Sequence, residues 1–215
     1  MLKTPHATDW IAYILVVNIA MIAILRHYFP RRFLAFFKVP VNPSYFTEFA
    51  HQKEQPFWFG VILEAIMLIS ISLFIYIVIY IAGGKSIQHN DYVLFIKILL
   101  VALLFITLQR LFHSVTGYLF NMPKSLTLWM HAKDTFLRWV AVWITLLNLI
   151  IVFGSISHDN LLIVGISLLT LGYIIGAIRG SSLLTGSKTL STTHIIFYLC
   201  TLEILPIIVM VKMII

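Results

Sequence analysis

Apolar residues in this chain fall in long, unalternated runs, broken by short stretches that carry proline, glycine and cations. A half-buried strand would alternate apolar and polar positions, whereas an apolar run of about 20 residues is the length of a helix crossing a bilayer. Six such runs lie near 10–27, 57–82, 92–112, 136–154, 160–178 and 193–213. Hydrocarbon offers no water to unpaired backbone groups, so only helices or closed barrels span it, and the absence of alternation excludes the barrel. The expected fold is therefore all-α: a polytopic membrane protein of about six transmembrane helices, with residues 1–215 forming one helical domain and no room for a soluble one.

The longest connection, between Pro30 and Pro56, contains RRFLAFFKV at 31–39, where Arg31, Arg32 and Lys38 mix with three phenylalanines. This pattern predicts a short interfacial helix after the first span, with its rings buried and its cations toward lipid head groups. Pro40 and Pro43 should stop it. Trp10, Trp58, Trp139 and Trp143 fall near span ends and read as belt residues, and Trp129 reads as the anchor of a weaker interfacial segment in the third loop.

At 60% hydrophobic and 11% charged residues, with a mean hydropathy of +0.99, the composition fits a bilayer and no soluble domain of this size. The net charge of +7 is unevenly placed. Eleven cations, among them Arg26, Lys53, Lys124, Lys133, Arg179 and Lys188, lie in or beside loops one, three and five, against Lys3, Lys85 and Lys212 on the other side. The positive-inside rule then puts those loops in the cytoplasm and both termini outside. The basic face is expected to attract anionic lipids and to offer a docking surface for a protein partner, and nothing here suits nucleic acid.

Candidate chemistry sits among the few polar residues inside spans. Glu203 lies in the middle of the last run, and a charged carboxylate near a bilayer midplane costs about 3 kcal/mol on insertion scales. Pro206 removes the hydrogen bond that the Leu202 carbonyl would accept, kinking the helix beside that carboxylate. Counting about 1.5 Å per residue from the cytoplasmic ends, Glu203, Glu64, Asn18 and Asn148 fall at similar depths on four spans, with Lys97 able to snorkel toward them. Gln109, Arg110 and His113 share one face at the cytoplasmic end of the third span. This polar layer reads either as glue between helices or as a proton, cation or head-group site.

Gly165, Gly172, Gly176 and Gly180 recur at spacings that align them on one face of the fifth span, a surface for close helix packing. The single cysteine, Cys200, reads as a small hydrophobe. No HExxH, GxSxG or phosphate-loop spacing occurs, and the scattered histidines point to no metal or haem, so no cofactor or catalytic residue is expected.

The segments RLFHSVTGYLF (110–120) and FYLCTLEILPIIVMVK (197–212) resemble the membrane-protein family known as domain of unknown function 4271, found in Bacteroidota. The resemblance implies a shared helical fold and a bacterial inner membrane, and no activity. The expected function is a transport or envelope-assembly component with a polar layer around Glu203, not demonstrably an enzyme; the alternative is a structural or accessory subunit of a membrane complex.

Topology is the first testable consequence. Both termini should be periplasmic, with Arg31, Arg32 and Lys124 cytoplasmic. Phosphatase and fluorescent-protein fusions at residue 215 and inside loops one and three read this directly, and a fluorescent C-terminal fusion reverses the assignment.

Overall fold

In the computed structural model, residues 9–40, 57–83, 92–119, 123–154 and 158–184 are described. They form six helices: α1 (Asp9–Tyr28), α2 (Pro30–Phe37), α3 (Phe57–Ala82), α4 (Tyr92–Leu119), α5 (Pro123–Phe153) and α6 (His158–Leu184). All but α2 are long and apolar enough to cross a membrane. The expected sixth span at 193–213, with Cys200, Glu203 and Pro206, lies outside the described residues.

The bundle is organised around α3 and α5, whose apolar spans are 50% and 56% buried, against 22%, 17% and 22% for those of α1, α4 and α6. Sequence explains the centrality of α3: FWFGVILEAIMLISISLFIYIVIYIA is apolar on every side, the mark of a helix enclosed by others or by lipid. Leu73, Phe74, Tyr76 and Ile77 of α3 form the main core with Ile11 and Leu15 of α1, Phe95 of α4, and Val140 and Ile144 of α5. The outer helices point leucine, isoleucine and valine away from the bundle, as at Leu100, Leu104, Ile163 and Ile178. In water a surface this apolar would aggregate; in hydrocarbon it faces its own solvent.

Helix α2 follows α1 almost without a break, since the Phe33 amide donates to the Phe29 carbonyl at 2.9 Å, and Pro30 occupies its first turn, where a missing N–H costs nothing. Its rings are buried, as the sequence suggested, and the surface that buries them is protein. Phe33 and Phe36 pack into a second core with Leu25, Phe59, Leu63 and Phe136, while Arg31 and Lys38 remain exposed on the opposite side. Protein offers those rings tighter packing than disordered acyl chains would.

The fourth span also starts earlier than its apolar run. Helix α5 begins at Pro123 rather than near 136, because Trp129, Lys133 and Asp134 find partners inside the protein and no interfacial loop is needed to expose them. Trp129 is only 1% exposed, so it is a packing residue and not a surface anchor.

The glycine face of α6 lies against its neighbours within the chain. A Cβ at Gly165 would overlap the Phe74 ring, at Gly172 the Val140 side chain, and at Gly180 the Trp129 ring; at Gly176 it would come within 3.2 Å of Lys133 Cα and 3.1 Å of Phe136 Cβ. Backbone cannot step aside as a flexible side chain can. Gly176→Leu should therefore destabilise the protein by about 1–3 kcal/mol through overpacking. Gly60→Ala, on α3 with nothing within 4 Å of the added carbon, should stabilise by about 0.5–1 kcal/mol through helix propensity. Unfolding midpoints in detergent check both signs.

Candidate functional site

Polar side chains on α1, α3, α4 and α5 gather at two levels rather than in one layer. At the first, Glu64 on α3 accepts from two arginines. Arg110 on α4 donates through Nη2 to Glu64 Oε1 at 2.6 Å, and Arg138 on α5 donates to Glu64 Oε2 through Nη2 at 2.6 Å and Nε at 2.9 Å. The same Arg110 Nη2 reaches Asp134 Oδ2 at 3.0 Å. Two carboxylates and two guanidiniums from three spans thus neutralise one another. The side chains of Glu64, Asp134 and Arg138 keep 16%, 15% and 17% of their exposure, so these are largely desolvated charges, where pairing matters more than at a surface.

The second level lies about 10 Å further along α3 and α5, six to seven residues on. Asn18 Nδ2 donates to Ser70 Oγ at 2.8 Å and to Thr145 Oγ1 at 3.3 Å, and the two hydroxyls lie 2.7 Å apart. Asn148 Nδ2 donates to the Ser70 carbonyl at 2.9 Å. Ser70 and Thr145 also reach back to their own helices, at the Ile66 and Ala141 carbonyls. All four side chains are buried and none is ionisable, so this level ties α1, α3 and α5 together without any charge to desolvate.

Beside the ionic level, α3, α4 and α5, with Tyr173 of α6, enclose a partly open cavity of about 260 Å³. Met67, Ile71, Ile75, Ala102 and Phe105 make its apolar length, and Gln109, Arg110, Lys133 and Asp134 its polar end. Lys133 is buried, with its ammonium 5.0 Å from the Trp129 ring centre and 5.6 Å from that of Tyr173. An ammonium enclosed by two aromatic faces keeps its charge at lower cost.

The sequence-predicted residues divide accordingly. Glu64 and Arg110 join the ionic level, with Gln109 at the cavity wall, while Asn18 and Asn148 form the neutral one. His113 is buried with its ring 5.3 Å from Trp129 and joins neither level. Lys97 is exposed on α4, 13 residues or about 20 Å along the helix from Arg110, and so is no member of a buried layer. Glu203 and Pro206 lie outside the described residues. Arg110, Lys133 and Arg138, counted as cations beside loops, are helix residues with partners in the bundle.

Asp134, Arg138, Ser70 and Thr145 were not singled out from sequence as site residues. One signal was available for the first two: in HAKDTFLR, Asp134 precedes Arg138 by four residues, which sets them on one face of any helix running through that segment. Serine and threonine carry no comparable signal, since both occur freely in spans bonded to their own helix. Among the described residues no group of three or more histidine, cysteine, aspartate or glutamate side chains is placed to hold a metal.

An all-helical bundle with five long apolar helices and a part-buried ionic cluster defines a polytopic membrane protein. The family described as Domain of unknown function (DUF4271) matches residues 11–214, nearly the whole sequence, and the chain belongs to that family. No curated protein and no solved structure matches it.

The geometry at Glu64 generates a coupling prediction. Glu64→Gln alone leaves two guanidiniums short of a carboxylate; loss of one partner costs about 3–5 kcal/mol in a fully buried pair and less in this part-buried one. Adding Arg138→Gln should recover about 1–3 kcal/mol of that loss, the signature of direct contact. A double-mutant cycle on unfolding in detergent measures the coupling, and additive effects would contradict the pairing.

Proposed function

We propose that this chain is a component of transport or envelope assembly in a bacterial inner membrane, with both termini in the periplasm, and that its working centre is the Glu64–Arg110–Asp134–Arg138 cluster. The observation that supports this reading is the presence of four ionised groups in the spans α3, α4 and α5, meeting at 2.6–3.0 Å beside a cavity. Ionised residues within spans are expensive and tend to mark pathways for ions or substrates. Helix glue alone does not call for them, since buried pairs are commonly replaceable by apolar residues without loss of stability. The hydrogen bonds among Asn18, Ser70, Thr145 and Asn148 already hold α3 to α5.

A second reading, an accessory subunit whose charges only fasten helices, draws support from the near-complete pairing of the cluster. Glu64→Gln/Arg138→Gln separates the two. The double variant removes one charge of each sign and keeps the Arg110–Asp134 pair, so it should fold with an unfolding midpoint between those of the parent and of Glu64→Gln. A gene-deletion strain carrying it should retain the envelope or uptake defect of the deletion. Full complementation by the double variant would favour the accessory reading.

A further inference from the structure

Arg110 satisfies both of its carboxylate partners through a single nitrogen, Nη2. A guanidinium carries five N–H donors, so Nε and Nη1 have donors that take no partner among the described residues. Those donors belong to a residue of the cavity wall, which Lys133 and Asp134 also line; with Glu64 and Arg138 included, three cations stand against two carboxylates at this end. The remaining wall is apolar over about 12 Å, from Met67 to Ile75 on α3 and from Arg110 back to Ala102 on the antiparallel α4. A volume of about 260 Å³ lies just below the usual range of small-molecule pockets and well above that of a dry packing defect.

A narrow slot that is apolar along its length and cationic at one end matches an acyl chain joined to an anion. From this we infer that the cavity is a binding site for one chain of an anionic lipid, with its phosphate accepting from Arg110 Nη1 and attracted by Lys133. A hydrogen bond from a guanidinium to phosphate is charge-assisted, and it strengthens where water is excluded. A zwitterionic lipid brings its own cation to the same place and gains less. The outer helix α4 is the natural entrance, because its span is the least buried of the five and it borders lipid along Leu100, Leu104 and Leu111. This inference deepens the functional reading above, since the slot shares Arg110 and Asp134 with the ionic cluster.

The test uses the full chain in mild detergent, titrated with dioleoyl phosphatidylglycerol, dioleoyl phosphatidylcholine or inorganic phosphate and followed by native mass spectrometry. The parent protein should hold one phosphatidylglycerol at least about tenfold more tightly than phosphatidylcholine, with inorganic phosphate failing to displace it. Ala102→Phe and Ile71→Trp narrow the slot from α4 and α3 without touching a charge, and each should weaken that one site about tenfold while leaving looser surface lipids unchanged. Two variants are used so that a folding defect in one leaves the other decisive. Arg110→Gln should remove the preference for phosphatidylglycerol. Equal retention of the two lipids by the parent overturns the anionic site. Unaltered retention in a folded Ala102→Phe or Ile71→Trp protein overturns its placement in the slot, and displacement by inorganic phosphate overturns the part played by the chain. These readouts are of binding, so their failure is distinct from complementation by Glu64→Gln/Arg138→Gln, which bears on the functional reading alone.

Discussion

A carboxylate held inside a bilayer must be neutralised or paired, and Glu64 is paired twice. Its two oxygens take Arg110 from α4 and Arg138 from α5. Charge in hydrocarbon is costly enough that this one residue constrains three helices at once. Helix α4, otherwise loosely held and largely facing lipid, is tied to the centre at Arg110. Helix α5 must present Arg138 toward α3, which fixes its rotation and carries Asp134, one turn earlier, toward α4. The cavity follows from the same arrangement, for α4 stands against the ion pairs at one end and leaves Ile71, Ala102 and Phe105 incompletely filled beyond them.

The two polar levels act differently. Amides and hydroxyls at Asn18, Ser70, Thr145 and Asn148 join α1, α3 and α5 through neutral hydrogen bonds, each of modest strength in a membrane. The ionic level adds less net stability for its desolvation but creates a local field, and it stands beside a cavity. Close packing completes the bundle: along α6, four glycines admit Phe74, Val140, Phe136 and Trp129 to near-backbone distance, which seats α6 on α5 and brings Tyr173 to the cavity wall and within 5.6 Å of the Lys133 ammonium. Dispersion at such separations replaces the hydrophobic force that lipid cannot supply between helices.

Redistribution of the cations changes how the basic character of the chain is understood. Of the residues that give the protein its +7 charge, Arg110 and Arg138 are matched to carboxylates and Lys133 is enclosed by aromatic rings. Arg31 on α2 and Lys38 just after it remain exposed, while the phenylalanines beside them belong to the protein core. An amphipathic segment beside a bundle has two apolar surroundings to choose between, and pattern alone does not distinguish them.

The hydrophobic runs by themselves determined that the chain is helical, that it is built to cross a membrane several times, and that a short helix follows the first span. The physical reason is that span length and backbone pairing are local requirements set by bilayer thickness and by the lack of water. Glycine spacing on α6 was legible for the same reason, since a helical face is a matter of period. Partners were not local. Sequence depth grouped Glu64 with Asn18 and Asn148 and placed Lys97 among them, because counting residues along a helix gives height but not rotation. Only the tertiary structure decided that Glu64 faces Arg110 and Arg138, that Asn18 faces Ser70 and Thr145, and that Lys97 faces outward. Those choices come from how ridges and glycine grooves of neighbouring helices interlock, which no single helix carries in its own pattern.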